Sequence, residues 1–600
     1  MDILGISCFY HDSAAALIRD GVLVAAAEEE RFTRKKHDND FPRQAIDFCL
    51  KQAGINGPDL DYVVFYEKPL VKFERILMTN LGGYPKTSHV FREAMTAWFN
   101  EKLWIKGRIV RELRVPASKV LFAEHHLSHA ASTLYCSPFR EAALLTGDGV
   151  GEWTTTAIGQ GCADWEQGAG NAIDFQGEIR FPHSLGILYS AFTAFLGFEV
   201  NDGEYKVMGM APYGEPRYMD EVSKLVHVNE DGSFSLNMSY FSFHQSAEYT
   251  YNQQFTDLFG TPRVRESEFY TLKTHPKRDH PKWDNREAEA NQKYADIAAS
   301  IQLLIEEIML KMARGLHKRT GQRNLCLAGG LMLNSVSNGR LQRETPFEQV
   351  FIQPAAGDSG AALGAALYVY HVLLKQPRKF VLEHCYWGQG YSDAEIADYL
   401  KANHIPYEYI DDQSRLEDRI AEQIVRGKVV GLFQGRFEWG PRALGNRSIL
   451  ADPRRAEMKA IVNTKIKFRE LFRPFAPVVL EERTKEFFDL PQVVGNYPAR
   501  YMLVVAPIHA EKQNVIPAVN HWGTGRLQTI RREWNSLYYG IVEKFGAATG
   551  VPVLMNTSYN LRGEPIVTSP ANALWTFNQS GLDLLVMERF LITKESKGVS

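Results

Sequence analysis

The chain has 600 residues, 45% of them hydrophobic and 23% charged, with a formal net charge of −3. That length exceeds what one hydrophobic core supports, so at least two domains are expected. The balanced charge argues against a wholesale nucleic-acid binder, no apolar run nears the roughly 20 residues of a membrane span, and six scattered cysteines without a CxxC pair suit neither a disulfide scaffold nor a thiolate zinc site. No basic leader precedes the first apolar run, so the expected location is the cytoplasm.

In chain order, residues 3–8, 14–19 and 22–27 read as strands, the last two joined by an Asp20-Gly21 hairpin turn. Short apolar strands at 62–66, 120–123 and 142–146, separated by helical stretches, predict a mixed α/β architecture. Residues 270–286, rich in His, Pro, Lys and Asp, read as a surface excursion. A long amphipathic helix follows over 287–318, with apolar residues at three- and four-residue spacing and Gly321 as its stop, then a strand at 324–328. A small-residue helix starts after Asp358 and runs to about Leu374, and the polar run Lys375-Gln376-Pro377-Arg378-Lys379 marks a domain break, giving domains over 1–375 and 385–600. Beyond it, Ser392 with Glu395 and Ser414 with Glu417 predict capping boxes, and strands are expected at 407–410 and 429–433. The second domain thus also reads as α/β. No internal repeat is evident.

Two histidines four apart, His125 and His129 in Glu124-His-His-Leu-Ser-His129, share one face of a helix and can bind one divalent ion, although an HxxxH pair alone is weak evidence. Asp148, in Thr146-Gly-Asp-Gly-Val-Gly151, sits among glycines that let a phosphate or ion approach the backbone. Asp358 reads, in isolation, as a helix N-cap. Two His with two Asp suit a hard or borderline metal with open positions for phosphate or water. His11 is a candidate general base and Lys36, in a basic run, an anion contact or a solvated charge. Gly203-Glu204-Tyr205-Lys206 and the pair Gly329-Gly330 ahead of Asn334 complete the first-domain set, the glycine pair offering backbone to a nucleotide.

The second domain holds the densest signal: between Arg436 and Arg473 there are seven Arg and three Lys against four acids. Rigid Gly-Pro-Arg442 and Arg473-Pro turns within it suit compact phosphates gripped by Arg forks and a Lys point charge, whereas a nucleic-acid groove is disfavoured because neighbouring stretches are not basic. Arg526, Asn556 and Ser558 are further candidate phosphate and hydroxyl contacts, each with a turn or capping alternative.

The ordered series GISCFYHDSAAAL, EEERFTRKKH, HHLSHAAS, GDGVGEW, GEYKVMGMAPYG, GGLMLN, GDSGAALGAA, GRFEWGPRALGNRSILADPR, KIKFRELFRPFAP and NTSYNLRGEP spans nearly the whole chain. It resembles the O-carbamoyltransferases of natural-product biosynthesis, among them those of antibiotic and nodulation-factor pathways. The resemblance implies an N-terminal actin-like ATPase domain of the Kae1-like type and a C-terminal YrdC-like α/β domain. It implies metal ligation by His125, His129, Asp148 and Asp358, with iron favoured and magnesium or manganese as alternatives. His11 and Lys36 are implied at the transfer site, and Asp12, Gly149, Glu204, Lys206, Gly329, Gly330 and Asn334 at a nucleotide pocket. Arg442, Lys467, Arg473, Arg526, Asn556 and Ser558 are implied to bind carbamoyl phosphate and ATP. The implied reaction forms carbamoyl-adenylate from carbamoyl phosphate and ATP, then carbamoylates a hydroxyl of a small molecule. Alternatives are an actin-like small-molecule kinase and a threonylcarbamoyl transferase acting on tRNA. Neither nucleic-acid nor membrane partners are expected, and exposed apolar helix faces are compatible with a homodimer.

Overall fold

A computed structural model describes residues 1–246 and 248–594, which form two compact units. The first comprises Met1–Val24, Asn39–Pro42 and Cys49–Val381; the second comprises Ala25–Asp38, Arg43–Phe48 and Leu382–Ser600. The passage at Val381/Leu382 falls just past the polar run 375–379. The second unit's recruitment of two N-terminal segments lies outside the division 1–375 and 385–600.

The first unit contains two five-stranded sheets. One is built from β1 (Asp2–Ser7), β2 (Ala14–Arg19), β3 (Val22–Glu28, whose residues from Ala25 on are assigned to the second unit), β4 (Tyr62–Phe65) and β5 (Val120–Phe122), in the order β3-β2-β1-β4-β5. Helix α1 (Pro69–Gly82) lies between β4 and β5 in the chain, and α2 (His125–Leu134) follows β5. The other sheet has β6 (Glu141–Gly147), β7 (Thr154–Cys162), β8 (Ala172–Arg180), β9 (Asn324–Ala328) and β10 (Gln349–Ile352), in the order β10-β9-β6-β7-β8. Helix α3 (Asn285–Thr320) precedes β9, α4 (Ser335–Glu344) precedes β10, and α5 (Asp358–Tyr368) follows it.

The two sheets repeat one topology. In each, the first strand pairs antiparallel with the second and parallel with the fourth, and the fourth pairs parallel with the fifth. Sequence patterns conceal the repeat because the fold conserves strand order rather than residues. α2 and α5 thus occupy equivalent positions and pack on each other. Their approach is close: a Cβ on Gly364 would lie 1.8 Å from the Ser128 carbonyl oxygen, which explains the small residues of α5. Strands β2 and β9 bury nearly every residue, as expected of strands covered on both faces. Gly321 ends α3 in the left-handed conformation, as the spacing predicts.

The second unit is organised on a nine-stranded sheet. Its strands are β11 (Glu408–Tyr409), β12 (Val430–Phe433), β13 (Arg447–Ala451), β14 (Ala476–Leu480), β15 (Val504–Pro507), β16 (Thr524–Ile530), β17 (Val553–Ser558), β18 (Leu584–Met587) and β19 (Phe590–Thr593), in the order β11-β19-β18-β12-β13-β17-β14-β16-β15. Alternation sorts its apolar side chains into two cores. Phe433, Ile449, Val479, Met555 and Leu585 lie on one face, and Val430, Leu432, Leu450, Val478 and Leu554 on the other. Helices α6 (Gln413–Val425) and α7 (Ser536–Thr549) cover the latter through Leu416, Ile420, Ile424, Ile541, Val542 and Phe545. Ser392 and Glu395 form the expected capping box, whereas α6 starts from Asp412, whose side chain accepts from the Arg415 N–H, and not from Ser414. Asp412 already supplies an acceptor two residues earlier, so Ser414 is inside the helix. Among the described residues, no helix is long and apolar enough to cross a membrane.

Candidate active site

In the first unit, the candidate residues gather at the carboxyl ends of the parallel strands, where α/β sheets place their ligands. His11 and Asp12 follow β1, His125 follows β5, Asp148 follows β6, Gly329 and Gly330 follow β9, and Asp358 follows β10. His125 opens α2 and Asp358 opens α5, so the topological repeat brings two helix starts to one point.

His125, His129, Asp148 and Asp358 are all buried, with their ligand-type atoms within 4.8 Å of one another. The two Nε2 atoms are 3.1 Å apart, and Asp148 Oδ2 lies 3.1 Å from that of His125 and 3.3 Å from that of His129. Asp358 Oδ1 is 3.6 Å from both. Asp358 does not cap its helix: the N-cap residue is Gly357, and the carboxylate turns to the cluster, where Tyr66 donates to Oδ2 at 3.3 Å.

Two ring nitrogens and two carboxylates converging in a buried space leave lone pairs facing each other, an arrangement a divalent cation relieves. The residues therefore fit a metal ion. Burial opposes a charged ring at His125, but Asp358, Asp148 and Glu67 outweigh it and push the imidazole up to about 10. Asp148 is held well below the usual carboxylate range, because both imidazoles overcome its own burial. His126, between the two, is spent on structure: Nε2 lies 2.9 Å from the Thr154 carbonyl, Nδ1 lies 2.7 Å from the Thr146 hydroxyl, and burial keeps the ring neutral.

His11 Nδ1 lies 2.7 Å from Asp12 Oδ2. The Asp12 backbone sits at φ 53°, a left-handed conformation, and so turns the chain sharply behind β1. Among the nucleotide-pocket candidates, Gly149 and Gly330 flank Asp148, with the Asp148 carboxylate accepting the Gly149 N–H at 2.8 Å. Gly329 has φ 101°, and a Cβ there would lie 2.2 Å from the Gly147 carbonyl oxygen, so only glycine allows β6 and β9 to end side by side. Glu204 accepts from Ser190 at 2.8 Å and from the Asn201 N–H at 3.1 Å. Lys206 pairs with Glu266 at 3.0 Å, and Asn334 caps α4 while bonding Gln302 on α3.

Sequence reasoning missed Tyr66, Glu67 and Glu152. Glu67 bonds Lys72 at 2.6 Å and lies 3.8 Å from His125 Nδ1, and Glu152 accepts the His125 N–H at 3.1 Å through either oxygen. The available signal for Tyr66 and Glu67 was their place directly past a parallel strand.

In the second unit, Arg442 is carried on the loop 440–446. Glu438 Oε1 accepts the N–H groups of Leu444, Asn446 and Arg447 at 2.7, 2.8 and 3.2 Å. Asn556 donates to the Ala443 carbonyl at 3.1 Å and to Gln528 at 2.7 Å, and Gln528 donates to the Leu444 carbonyl at 2.9 Å. Two residues along β17, Ser558 accepts from Lys467 through its carbonyl at 2.9 Å and its hydroxyl at 3.2 Å; the same ammonium donates to the Asn560 carbonyl at 2.9 Å. Burial first, then Arg469, Arg473 and Lys36, hold the Lys467 ammonium well below its ordinary pKa. Arg473 lies 3.6 Å from Glu470, and Arg526 stands opposite Val505 in the β15–β16 register.

His11 belongs to the first unit and Lys36 to the second. The segment carrying Lys36 is anchored to the second unit: Arg31 donates to the Gly440 carbonyl at 2.5 Å, and Arg34 donates to the carbonyls of Ile566 and Pro565 at 2.6 and 2.7 Å.

Two family models cover most of the chain: the carbamoyltransferase N-terminus over residues 2–367 and the carbamoyltransferase C-terminus over residues 421–594. An uncharacterized protein of Synechocystis is 46% identical over 99% of this chain and 97% of its own length. The nodulation protein NolNO of Sinorhizobium fredii is 37% identical over 98% of this chain and 80% of its own, and the nodulation protein NolO of Bradyrhizobium diazoefficiens 35% over 78% of each. The chain belongs to the carbamoyltransferase family and is a transferase.

Proposed function

We propose that the protein is an ATP-dependent O-carbamoyltransferase acting on a hydroxyl of a small molecule. The observation that carries the reading is the coexistence on one carbamoyltransferase chain of a four-ligand metal cluster in the first unit and a buried, cation-flanked lysine in the second. The first unit is read as actin-like of the Kae1-like type, in keeping with its two sheets of one topology, and the second as YrdC-like.

In the second unit, carbamoyl phosphate loses its phosphate by hydrolysis, and the carbamate oxygen attacks the α-phosphorus of ATP, releasing pyrophosphate and forming carbamoyl-adenylate. Lys467, Arg442, Arg473 and Arg526 neutralise the phosphate oxygens, while Asn556 and Ser558 orient them. In the first unit, the acceptor oxygen bonds to the carbamoyl carbon, the carbon–oxygen bond to AMP breaks, and the hydroxyl proton passes to His11. Asp12 orients the imidazole. His125, His129, Asp148 and Asp358 would hold a divalent ion, iron being the one the family resemblance implies, and it would supply Lewis-acid stabilisation of charge on oxygen. Gly149, Gly330, Glu204, Lys206 and Asn334 are read as the walls of the adenylate's pocket.

The test is transfer of label from isotopically marked carbamoyl phosphate to a panel of polyhydroxylated small molecules, read by mass spectrometry. ATP-dependent appearance of a carbamate ester supports the reading, and label confined to inorganic products across a broad panel counts against it.

A further inference from the structure

Helix α1 carries a cation that the chemistry above does not use. Arg75 is 8% exposed, and its Nη1 is fully buried with no hydrogen-bond partner. Its guanidinium lies over the Phe181 ring at 5.3 Å, and among the described residues no ion pair joins it to a carboxylate. Lys72, one turn earlier on the same face, differs: it is paired with Glu67 at 2.6 Å and lies 5.0 Å above the Tyr10 ring. Tyr10 in turn borders the metal cluster, since its hydroxyl would lie 3.4 Å from a Cβ on Gly149, next to Asp148. Burial, with the carboxylates of Asp148 and Asp358, pushes the Tyr10 hydroxyl up and keeps it neutral, while Arg75 acts in the opposite direction.

A buried guanidinium whose Nη1 has no hydrogen-bonded partner, with Glu67 and Glu152 acting on it only at longer range, is destabilising, and a visiting oxyanion would satisfy it. Tyr10 thus has the Arg75 cation and the glycine loop at Gly149 as neighbours, a pairing of guanidinium and loop backbone suited to a phosphoryl group. We infer that Arg75 is a phosphate-binding residue of the first unit, gripping the phosphoryl oxygens of the adenylate and of departing AMP. The assignment rests on the transfer reading of this site. In that step the acceptor oxygen bonds to the carbamoyl carbon as AMP leaves with the bonding electron pair, and the guanidinium balances the charge that accumulates on the phosphate. An anionic group of the acceptor is the competing source of the same chemistry.

The test is calorimetric binding of AMP, inorganic phosphate and acetate to the full chain in a K467M background, where the second unit lacks its own lysine contact. Arg75→Met is expected to weaken AMP and phosphate at least about tenfold, and Arg75→Lys to recover part of the loss, because a point charge replaces a fork. Phe181→Leu, which keeps the cation, is expected to bind AMP within about threefold of the parent and so reports on packing alone. Unchanged AMP and phosphate affinity in Arg75→Met overturns the inference, as does a loss confined to acetate. Because the readout is binding, it holds whether or not carbamoyl transfer is detected, and failed transfer with an Arg75-dependent phosphate site would sink only the broader reading.

Discussion

The carboxylate of Glu28 accepts the backbone N–H of Gly440 at 2.8 Å, although the two residues lie 412 positions apart in the chain. Arg31 completes the clasp from the other side by donating to the Gly440 carbonyl, and Thr568 donates to the Arg31 carbonyl at 2.5 Å. With the peptide units on both sides of Gly440 held, its φ and ψ are fixed, so the residue two positions on, Arg442, starts from a fixed backbone. Glu28→Ala leaves Arg31 buried without its acidic partner, and a loss of about 3 kcal/mol in the second unit's stability is expected in denaturant titrations. The KM for carbamoyl phosphate should rise with it. Glu28→Gln keeps an acceptor for Gly440 and should fall between the two. Wild-type values in Glu28→Ala would show the clasp to be idle.

Lys467 predicts a proton signature. Its ammonium is held well below the ordinary lysine range by burial and by Arg469, Arg473 and Lys36. A phosphate arriving beside it offsets those cations and raises its pKa, so binding of carbamoyl phosphate takes up protons. Calorimetry in two buffers of different ionisation enthalpy should give an uptake that disappears in Lys467→Met, together with a fall of about 10²-fold or more in pyrophosphate formation. Binding without proton uptake would argue against the lysine as the phosphate's partner.

The cluster of His125, His129, Asp148 and Asp358 predicts about one tightly held divalent ion per chain. His129→Ala and Asp358→Asn should each lower metal content in elemental analysis by about tenfold or more at equal protein, with transfer falling in parallel. Full metal occupancy in both variants would remove the cluster from consideration.

His11 gives a pH dependence whose sign follows from its surroundings. Burial disfavours the charged ring, but Asp12, Asp358 and Asp148 outweigh it and push the imidazole up to about 9. A cation bound among the carboxylates cancels part of that field and lowers the value. A base must be unprotonated, so the transfer rate is expected to fall as pH drops through the His11 pKa, below 9 in the metal-loaded protein. Asp12→Asn should move this limb to lower pH by removing a raising charge. His11→Gln should abolish the limb and reduce transfer about 10²- to 10⁴-fold. An unmoved limb in Asp12→Asn would assign it to another group.

Gly329 predicts a stability effect independent of chemistry. With φ at 101° and the Gly147 carbonyl 2.2 Å from any Cβ, Gly329→Ala must displace β6 or β9. A loss of about 3 kcal/mol in thermal or denaturant unfolding is expected; a loss under about 0.5 kcal/mol would mean that the strand ends separate freely.

Local chemistry made much of this legible. The strand pattern at 14–19 and at 324–328 matches β2 and β9 residue for residue, and the spacing of His125 and His129 placed them on one helix face because helical periodicity is a property of neighbours. Asp358 was ambiguous for the same reason: a carboxylate at a helix start reads as a cap until a distant partner claims it. Unreadable features depend on contacts between distant stretches. The Glu28–Gly440 clasp leaves no periodic trace, so residues 25–38 read as part of the first domain. The repeated sheet topology was hidden because it conserves connectivity, not sequence. The burial of Arg75 against Phe181, 106 residues later, likewise leaves no local signal.

Phosphorus NMR of the protein with ATP and carbamoyl phosphate, with and without acceptor, tests the central claim most directly. Carbamoyl-phosphate-dependent conversion of ATP to AMP and pyrophosphate, with inorganic phosphate from carbamoyl phosphate, is the predicted result. Accumulation of ADP, or carbamoyl transfer that proceeds unchanged without ATP, would contradict it.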